Sequence, residues 1–473
     1  MADAKSLMAS RTFTCSATAS STTSSSSSSS SRLVPYPPDL IKWVKREGGF
    51  VHSSIKISED GPYGLGLFAS HEIPKGSPLI ALPPHLPFKF GPLVDLEDGP
   101  TSVLAYLARH VPDDLWAMKL ALKLLHERSK EDSFWWPYIS NLPETFSVPI
   151  FFHGGDIDDL QYAPLVYQVK KRCQFLVDFD KVLKKTLVSV EPRDHPFAGK
   201  DVESSALRWA LSAVSSRAFR LNGEKLPNGS HVDSPMLLPL IDMCNHSFDP
   251  NSHIVQEKDP GNDSMLVKVM AETHIEQDDP LLLNYGCLSN DLLLLDYGFL
   301  EPSNPNDCVE LKYNVGLLEA AGNSIGVSSP NFSSPQPWQK KILSQLQLIG
   351  QAPTLKIILG GEEQIDGRLL AALRVLLADE GAVNKVDLET LKSLSAFAPL
   401  GDQNELEVLH IVAAMISIIY ERMPTRVADD ENMLLLQRIP ASTRLVVQYR
   451  IEKKNVLSEV MRTLAVKVKA LML

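Results

Sequence analysis

The sequence predicts an α+β protein: a β fold of small sheets, split by a helical insert and followed by an all-α C-terminal domain. Three observations lead there. Short β-like runs occupy residues 51–84 and return at 253–284. The intervening stretch, about 100–207, repeats apolar residues every three or four positions, the period of a helix with one buried face. Beyond residue 337 the same helical period continues almost to the end.

Taken in order, residues 1–38 stand apart. They are Ser/Thr-rich, with an unbroken run from Ser24 to Ser31, and carry Lys5, Arg11 and Arg32 against Asp3 alone. Such a segment buries too little apolar surface to offset its ordering entropy and is expected to be disordered. Ser-rich, basic and acid-poor is the transit-peptide pattern, and the scarcity of arginine favours the chloroplast stroma as destination. After Pro35, Pro37 and Pro38, the segment Leu40–Val44 reads as a short amphipathic helix stopped at Gly48-Gly49. The runs Ile55–Ile57, Leu65–Ala69 and Leu79–Leu82 read as strands between turn clusters at Asp60-Gly61-Pro62 and Pro74-Lys75-Gly76.

The insert is expected to be helical on the spacing of Val103, Leu104, Leu107, Leu115, Met118, Leu122 and Leu125. Strands resume at His253–Gln256, Leu266–Ala271 and Leu281–Asn284, with a turn at Asp259–Asn262. The Ser/Pro/Asn-rich stretch 323–337 reads as linker. The apolar stripes Leu369/Leu373/Leu376/Leu377, Leu406/Leu409/Val412/Ile416/Tyr420 and Leu457/Val460/Leu464/Val468 read as core faces of a separate helical domain. The expected division is therefore 1–38 leader, 39–310 split β domain, 311–337 linker and 338–473 helical domain.

Composition excludes several functions. The net charge of −11 argues against nucleic-acid binding as the main activity; removing the leader's three basic and one acidic side chains leaves about −13. Five cysteines without a C-x-x-C pair argue against a disulfide scaffold and a cysteine zinc site. The most apolar stretch, His410–Tyr420, falls far short of the roughly 20 residues of a membrane span. A monomer without a metal is expected.

Three segments carry candidate chemistry. In Tyr63-Gly64-Leu65-Gly66-Leu67-Phe68-Ala69, alternate glycines beside β-like residues permit a tight turn and close approach to the backbone. The run Leu237–Ile241 ends in Asp242-Met243-Cys244-Asn245-His246-Ser247, placing several donors and acceptors at the edge of a core. Four readings of this second segment stand side by side: a metal site using Asp242, His246 and His253; a hydrolase site using His246 and Ser247; a hydrogen-bond network holding a ligand; or a capped turn. The third segment, Leu283-Asn284-Tyr285-Gly286-Cys287-x-Ser289-Asn290-Asp291, leads to Tyr297-Gly298-Phe299. Its tyrosines offer an aromatic wall with a polar tip, and composition alone favours core packing over function for them.

In this order the three segments resemble the SET-domain protein methyltransferases, and more narrowly the branch of the Rubisco large-subunit lysine methyltransferases. The blocks Ser133-Phe134-Trp135-Trp136-Pro137-Tyr138-Ile139-x-x-Leu142-Pro143 and Arg208-Trp209-Ala210 with Ser216-Arg217-Ala218-Phe219 resemble that branch's insert and the approach to its second SET half. The likeness covers residues 40–310 strongly, and the C-terminal region by position and class. It implies S-adenosylmethionine as cofactor, with Tyr63, Gly64 and Leu65 at its amino-acid end, Arg217 on its carboxylate, and Asp242, Asn245, His246 and Tyr297 around the rest. It implies Tyr285 as the catalytic residue, and Phe219, Tyr297 and Phe299 as an apolar sleeve for a lysine side chain.

The implied partner is a protein bearing a target lysine, such as the Rubisco large subunit or fructose-bisphosphate aldolase. Two alternatives accompany this expectation: a catalytically silent SET-fold scaffold, and a histidine methyltransferase, whose branch has a polar residue where Phe219 stands.

Overall fold

The computed structural model describes residues 32–59, 64–90, 100–225, 231–258, 265–327, 332–350 and 353–473. Residues 1–31, Tyr63, the expected turn at 259–262 and part of the expected linker lie outside that set. The described residues form two compact units: those of 32–151 with 169–286, and those of 152–168 with 287–473.

Among the described residues, eleven strands build the first unit: β1 (Phe50–Val51), β2 (Ile55–Ser58), β3 (Gly66–Ala69), β4 (Pro78–Leu82), β5 (Phe88–Lys89), β6 (Ala218–Lys225), β7 (His231–Leu237), β8 (Asn245–His246), β9 (Ser252–Lys258), β10 (Met265–Ala271) and β11 (Leu282–Leu283). They form four small sheets, ordered β1-β4-β10-β9, β2-β3, β5-β7-β6 and β11-β8. The centre of the largest is β4, whose Leu79, Ile80 and Leu82 are fully buried; an apolar run of this kind suits an interior strand. Strands β8 and β11 pair in parallel, Asn245 with Leu282 and His246 with Leu283.

Local chemistry explains the flanking helix Leu40–Arg46. The Asp39 side chain accepts from the Lys42 amide at 3.0 Å, capping the first turn, while Leu40, Trp43 and Val44 are buried. The insert is helical as expected, and its helices Ala117–Ser129 and Ser204–Ser215 pack against one another. Strands β6 and β7 follow it and were not foreseen, because their residues mix charged, polar and apolar types without a clean alternation.

Three boundaries differ from expectation. Order extends into the expected leader: the Leu33 amide donates to the Leu142 carbonyl at 2.7 Å, and Arg32 Nη1 to Asn141 Oδ1 at 3.0 Å. The residues 311–337 are not simply linker, since Val315–Ser324 is a helix capped by the Asn314 side chain, which accepts from the Gly316 amide at 2.8 Å. The division also falls after Gly286 instead of 310, and residues 152–168 leave the insert for the second unit. There Asp156 accepts from the Ser442 and Thr443 hydroxyls, and the Tyr162 hydroxyl accepts from the Glu310 amide at 2.7 Å.

The second unit is helical around Ala441–Leu471, which buries Val446, Val447, Tyr449, Val456, Leu457, Val460 and Leu464. It departs from all-α in one ribbon, β12 (Cys308–Lys312) against β13 (Thr354–Ile358), antiparallel with Leu311 opposite Leu355. Residues 354–358 alternate exposed and buried positions, the strand period. The interior also holds ion pairs. Arg374, wholly buried, grips Glu405 through two hydrogen bonds of 2.8 and 2.6 Å. Lys453 donates to Asp307, and Arg450 and Lys454 to Asp430.

Candidate active site

The site is built on one threaded segment of the first unit. Residues 279–283 bond to β3 on one side, where the Leu281 amide donates to the Leu67 carbonyl and the Ala69 amide to the Asp279 carbonyl. On the other side β11 pairs with β8. Asn251 clamps this segment, donating to the Pro280 carbonyl at 2.8 Å and accepting from the Leu282 amide at 2.9 Å.

The two glycines of the first motif act differently. Gly64 has φ +68° and open space around it, so it serves the turn. Gly66 has a neighbour instead: a Cβ there would lie 2.5 Å from the Asn245 amide nitrogen and 3.4 Å from the Met243 carbonyl oxygen. The close approach anticipated for a ligand is thus made, at Gly66, by the Asn245 side chain. Leu65 is half-buried and packs against the core.

The second motif forms a tight turn, Ile241–Met243, entered through Leu240 at φ +71°. A leucine at positive φ carries strain of order 1–3 kcal/mol, held here by complete burial of the Leu240 side chain. Asp242 is 6% exposed. One of its carboxylate oxygens accepts from the Tyr138 hydroxyl at 2.5 Å, the other has no hydrogen-bond partner, and its main-chain carbonyl accepts from Arg217 Nη1 at 2.8 Å. Burial pushes the Asp242 carboxyl up to about 6, against the opposing pull of the Arg217 charge and the Tyr138 bond. The Tyr138 hydroxyl is itself pushed well up by burial and by the Asp242 charge.

Tyr285 meets the same turn. Its hydroxyl donates to the Cys244 carbonyl at 2.6 Å, and its amide donates to His246 Nδ1 at 3.2 Å. The two rings lie 5.0 Å apart at 35°, with Phe248 edge-on to His246 at 4.6 Å. A histidine accepting at Nδ1 is neutral, and burial lowers the His246 pKa in the same sense.

Arg217, Asp242, Asn245, His246 and Tyr285 therefore converge on one turn. Phe219 stands on β6 opposite Met236, half-buried against the core. Tyr297 and Phe299 belong to the second unit, where their rings lie 6.1 Å apart and burial pushes the Tyr297 hydroxyl up to about 12.

The hydrolase reading loses its geometry: His246 Nδ1 accepts from the Tyr285 amide, and the one carboxylate beside it in the motif, Asp242, is held by Tyr138 and not by a histidine. The Ser247 hydroxyl accepts from the Asp249 amide at 3.0 Å. The metal reading loses its ligand set in the same way. Among the described residues, the one His/carboxylate cluster with ligating atoms within 4.8 Å is Glu72, His274 and Glu276, all exposed and away from this turn. Sequence reasoning missed Tyr138 and the Cys244 carbonyl. The first sits in a motif dominated by tryptophans, and the second acts through its main chain, which no residue type announces.

Residues 64–286 match the SET domain family, and residues 330–457 match the Rubisco LSMT substrate-binding family. Among known proteins, the chain is similar to actin-histidine N-methyltransferase of Gallus gallus, 25% identical over 452 residues spanning 91% of this chain and 68% of that protein. The Homo sapiens actin-histidine N-methyltransferase is 24% identical over 456 residues, with the same coverage. The SET domain of LSMT bound to lysine and AdoHcy superposes with a TM-score of 0.61 at 20% identity, covering 91% of each chain. Rubisco LSMT bound to AdoMet gives 0.58 at 20% identity, covering 91% of this chain and 92% of that one. At such identity the structural likeness concerns the fold. The chain thus carries a SET domain in its split β fold and a Rubisco LSMT substrate-binding domain in its helical unit.

Proposed function

We propose that the chain is an S-adenosylmethionine-dependent protein-lysine N-methyltransferase of the chloroplast stroma, acting as a monomer on a protein such as the Rubisco large subunit or fructose-bisphosphate aldolase. The carrying observation is the Tyr285 hydroxyl, fixed on the Cys244 carbonyl within the turn that also gathers Arg217, Asp242, Asn245 and His246. The cofactor suits these residues. Arg217 keeps a buried Nε with no hydrogen-bond partner, a donor fit for a carboxylate, and a Cβ at Gly64 would meet no described atom within 4 Å beyond its chain neighbours.

When bound, the cofactor supplies an electrophilic methyl on a sulfonium: the C–S pair returns to sulfur as the N–C bond forms. The chain's task is to deliver a neutral amine in line with that methyl. Half-buried aromatic surroundings disfavour the ammonium form. The Tyr285 hydroxyl, its one proton committed to Cys244, offers lone pairs that orient the amine, and carbonyls such as that of Cys244 can receive weak C–H···O contacts of about 0.5–1 kcal/mol each. Alignment contributes most, roughly 7–11 kcal/mol.

The apolar ring of Phe219 supports a lysine stem. A histidine acceptor is the second reading, favoured by the name shared by the relatives from Gallus gallus and Homo sapiens. One experiment separates them. The protein is incubated with methyl-labelled cofactor and either stromal extract or actin, and the labelled protein is hydrolysed to amino acids. Methyl-lysine on a discrete stromal protein supports the proposal. Methylhistidine transfers it to the second reading, and cofactor binding without any labelled protein points to a scaffold.

A further inference from the structure

The insert motif Ser133–Pro143 is the one conspicuous sequence block to which the methyl-transfer reading gives no task. Trp135 has a packing role, edge-on to Phe88 at 4.9 Å and to Trp43 at 6.1 Å. Tyr138 does something else. It lies 104 positions before Asp242 in sequence, is 1% exposed, and donates its hydroxyl to the buried Asp242 carboxylate.

We propose that Tyr138 is a positioning residue of the active site, holding the Asp242 carboxylate so that the strained Leu240–Cys244 turn keeps the Cys244 carbonyl on the Tyr285 hydroxyl. The connection is short. From Asp242 the chain needs two residues to reach Cys244, whose amide donates back to the Ile241 carbonyl at 3.1 Å and whose carbonyl accepts from Tyr285. Besides the Asp242 amide on the Leu238 carbonyl and Tyr285 on the Cys244 carbonyl, side chains hold the middle of the turn from outside: Tyr138 on the Asp242 carboxylate and Arg217 on its carbonyl. A strained turn persists only where its surroundings over-determine it. Losing the Tyr138 tie leaves a buried carboxylate with both oxygens unpartnered, which favours protonation and relaxation of the turn.

The groups that bear on Asp242 are Tyr138 from the insert, Arg217 from the end of helix Ser204–Ser215, and the Cys244 thiol of the turn. Arg217 and Tyr138 both favour the ionised carboxylate, so removing the Tyr138 hydroxyl moves its titration to higher pH.

The proposal rests on the methyl-transfer reading, and its test therefore includes a readout that needs no activity. Full-length chain is prepared as wild type, Tyr138→Phe and Asp242→Asn, with tyrosine labelled at Cζ by 13C and the Tyr285 resonance assigned by Tyr285→Phe. In Tyr138→Phe the Tyr285 Cζ resonance shifts, kcat falls roughly ten- to hundredfold with KM for the protein substrate unchanged, and the acidic limb of the rate profile moves upward in pH. In Asp242→Asn the amide oxygen still accepts from Tyr138, so the Tyr285 resonance stays near its wild-type position; should Tyr138→Phe fail to fold, Asp242→Ala, which removes the group that Tyr138 holds, takes its place, and an unmoved Tyr285 resonance there overturns the proposal.

A Tyr285 resonance unmoved in Tyr138→Phe, with kcat and the acidic limb as in wild type, leaves Tyr138 a packing residue and overturns the proposal. A wild type that transfers no methyl group refutes the reaction, while the Tyr285 resonance still decides whether Tyr138 positions the turn.

Discussion

Gly66→Ala isolates one contact on which the site is assembled. Gly66 does not have the positive φ of Gly64, so an alanine there meets no backbone penalty. Its Cβ would lie 2.5 Å from Asn245 Nδ2, well inside van der Waals contact. Either the Asn245 amide leaves its rotamer, at about 0.5–1.5 kcal/mol, or β3 and β8 shift apart at an overpacking cost of about 1–3 kcal/mol. If that cost is borne when the cofactor binds, affinity falls by about 2- to 150-fold.

The assay pairs calorimetric titration of S-adenosylmethionine with thermal melts. Gly64→Ala serves as a contrast: it meets no atom within 4 Å but sits at φ +68°, so its loss comes from the backbone and is eased by Gly64→Asn. The decisive variant is Gly66→Ala/Asn245→Ala. Shortening Asn245 removes the clashing amide, so the double variant is more stable than the sum of the single losses, by about 1 kcal/mol or more. Strict additivity of the two substitutions would refute the contact.

Further outcomes follow from the same structure. Tyr285→Phe keeps the ring against His246 but loses the bond to the Cys244 carbonyl, so cofactor affinity stays within about threefold while kcat falls at least about a hundredfold; equal loss of both in a binding and turnover assay contradicts the role. Arg374→Met strands the Glu405 carboxylate, itself 4% exposed, and costs about 3–5 kcal/mol in urea unfolding; adding Glu405→Leu recovers most of it. His126 and His246 both have pKa values depressed by burial. Below the unfolded value of about 6.5 the unfolded chain binds protons that the fold refuses, so stability is complete above that pH and declines as acid is added. Melting temperature should drop between pH 7.5 and 5.5, and less steeply in His126→Gln.

Much of the fold was readable along the chain because it is set by short-range order. The spacing of Leu115, Met118, Leu122 and Leu125 marks a helix face, and the apolar run at Leu79–Leu82 marks an interior strand, whatever each packs against. The three motifs were likewise local strings: Gly64 for a turn, Asp242–Ser247 for a polar cluster at a core edge, Tyr285-Gly286 beyond them. What residue types could not decide was who meets whom. Four chemical readings of Asp242–Ser247 stood open until Tyr138 was found on the Asp242 carboxylate and Tyr285 on the Cys244 carbonyl.

The strand at 354–358 was lost among helices because its partner, 308–312, lies far back in the sequence, and the buried lysines and arginines of Ala441–Leu471 look like an exposed face until Asp307 and Asp430 arrive beside them. Periodicity records the faces of single elements and is a property of neighbours in sequence. The seat of Asn245 on Gly66, the tie from Tyr138 and the pairing of buried charges are made by chain closure over tens to hundreds of residues, so only the tertiary structure decides them.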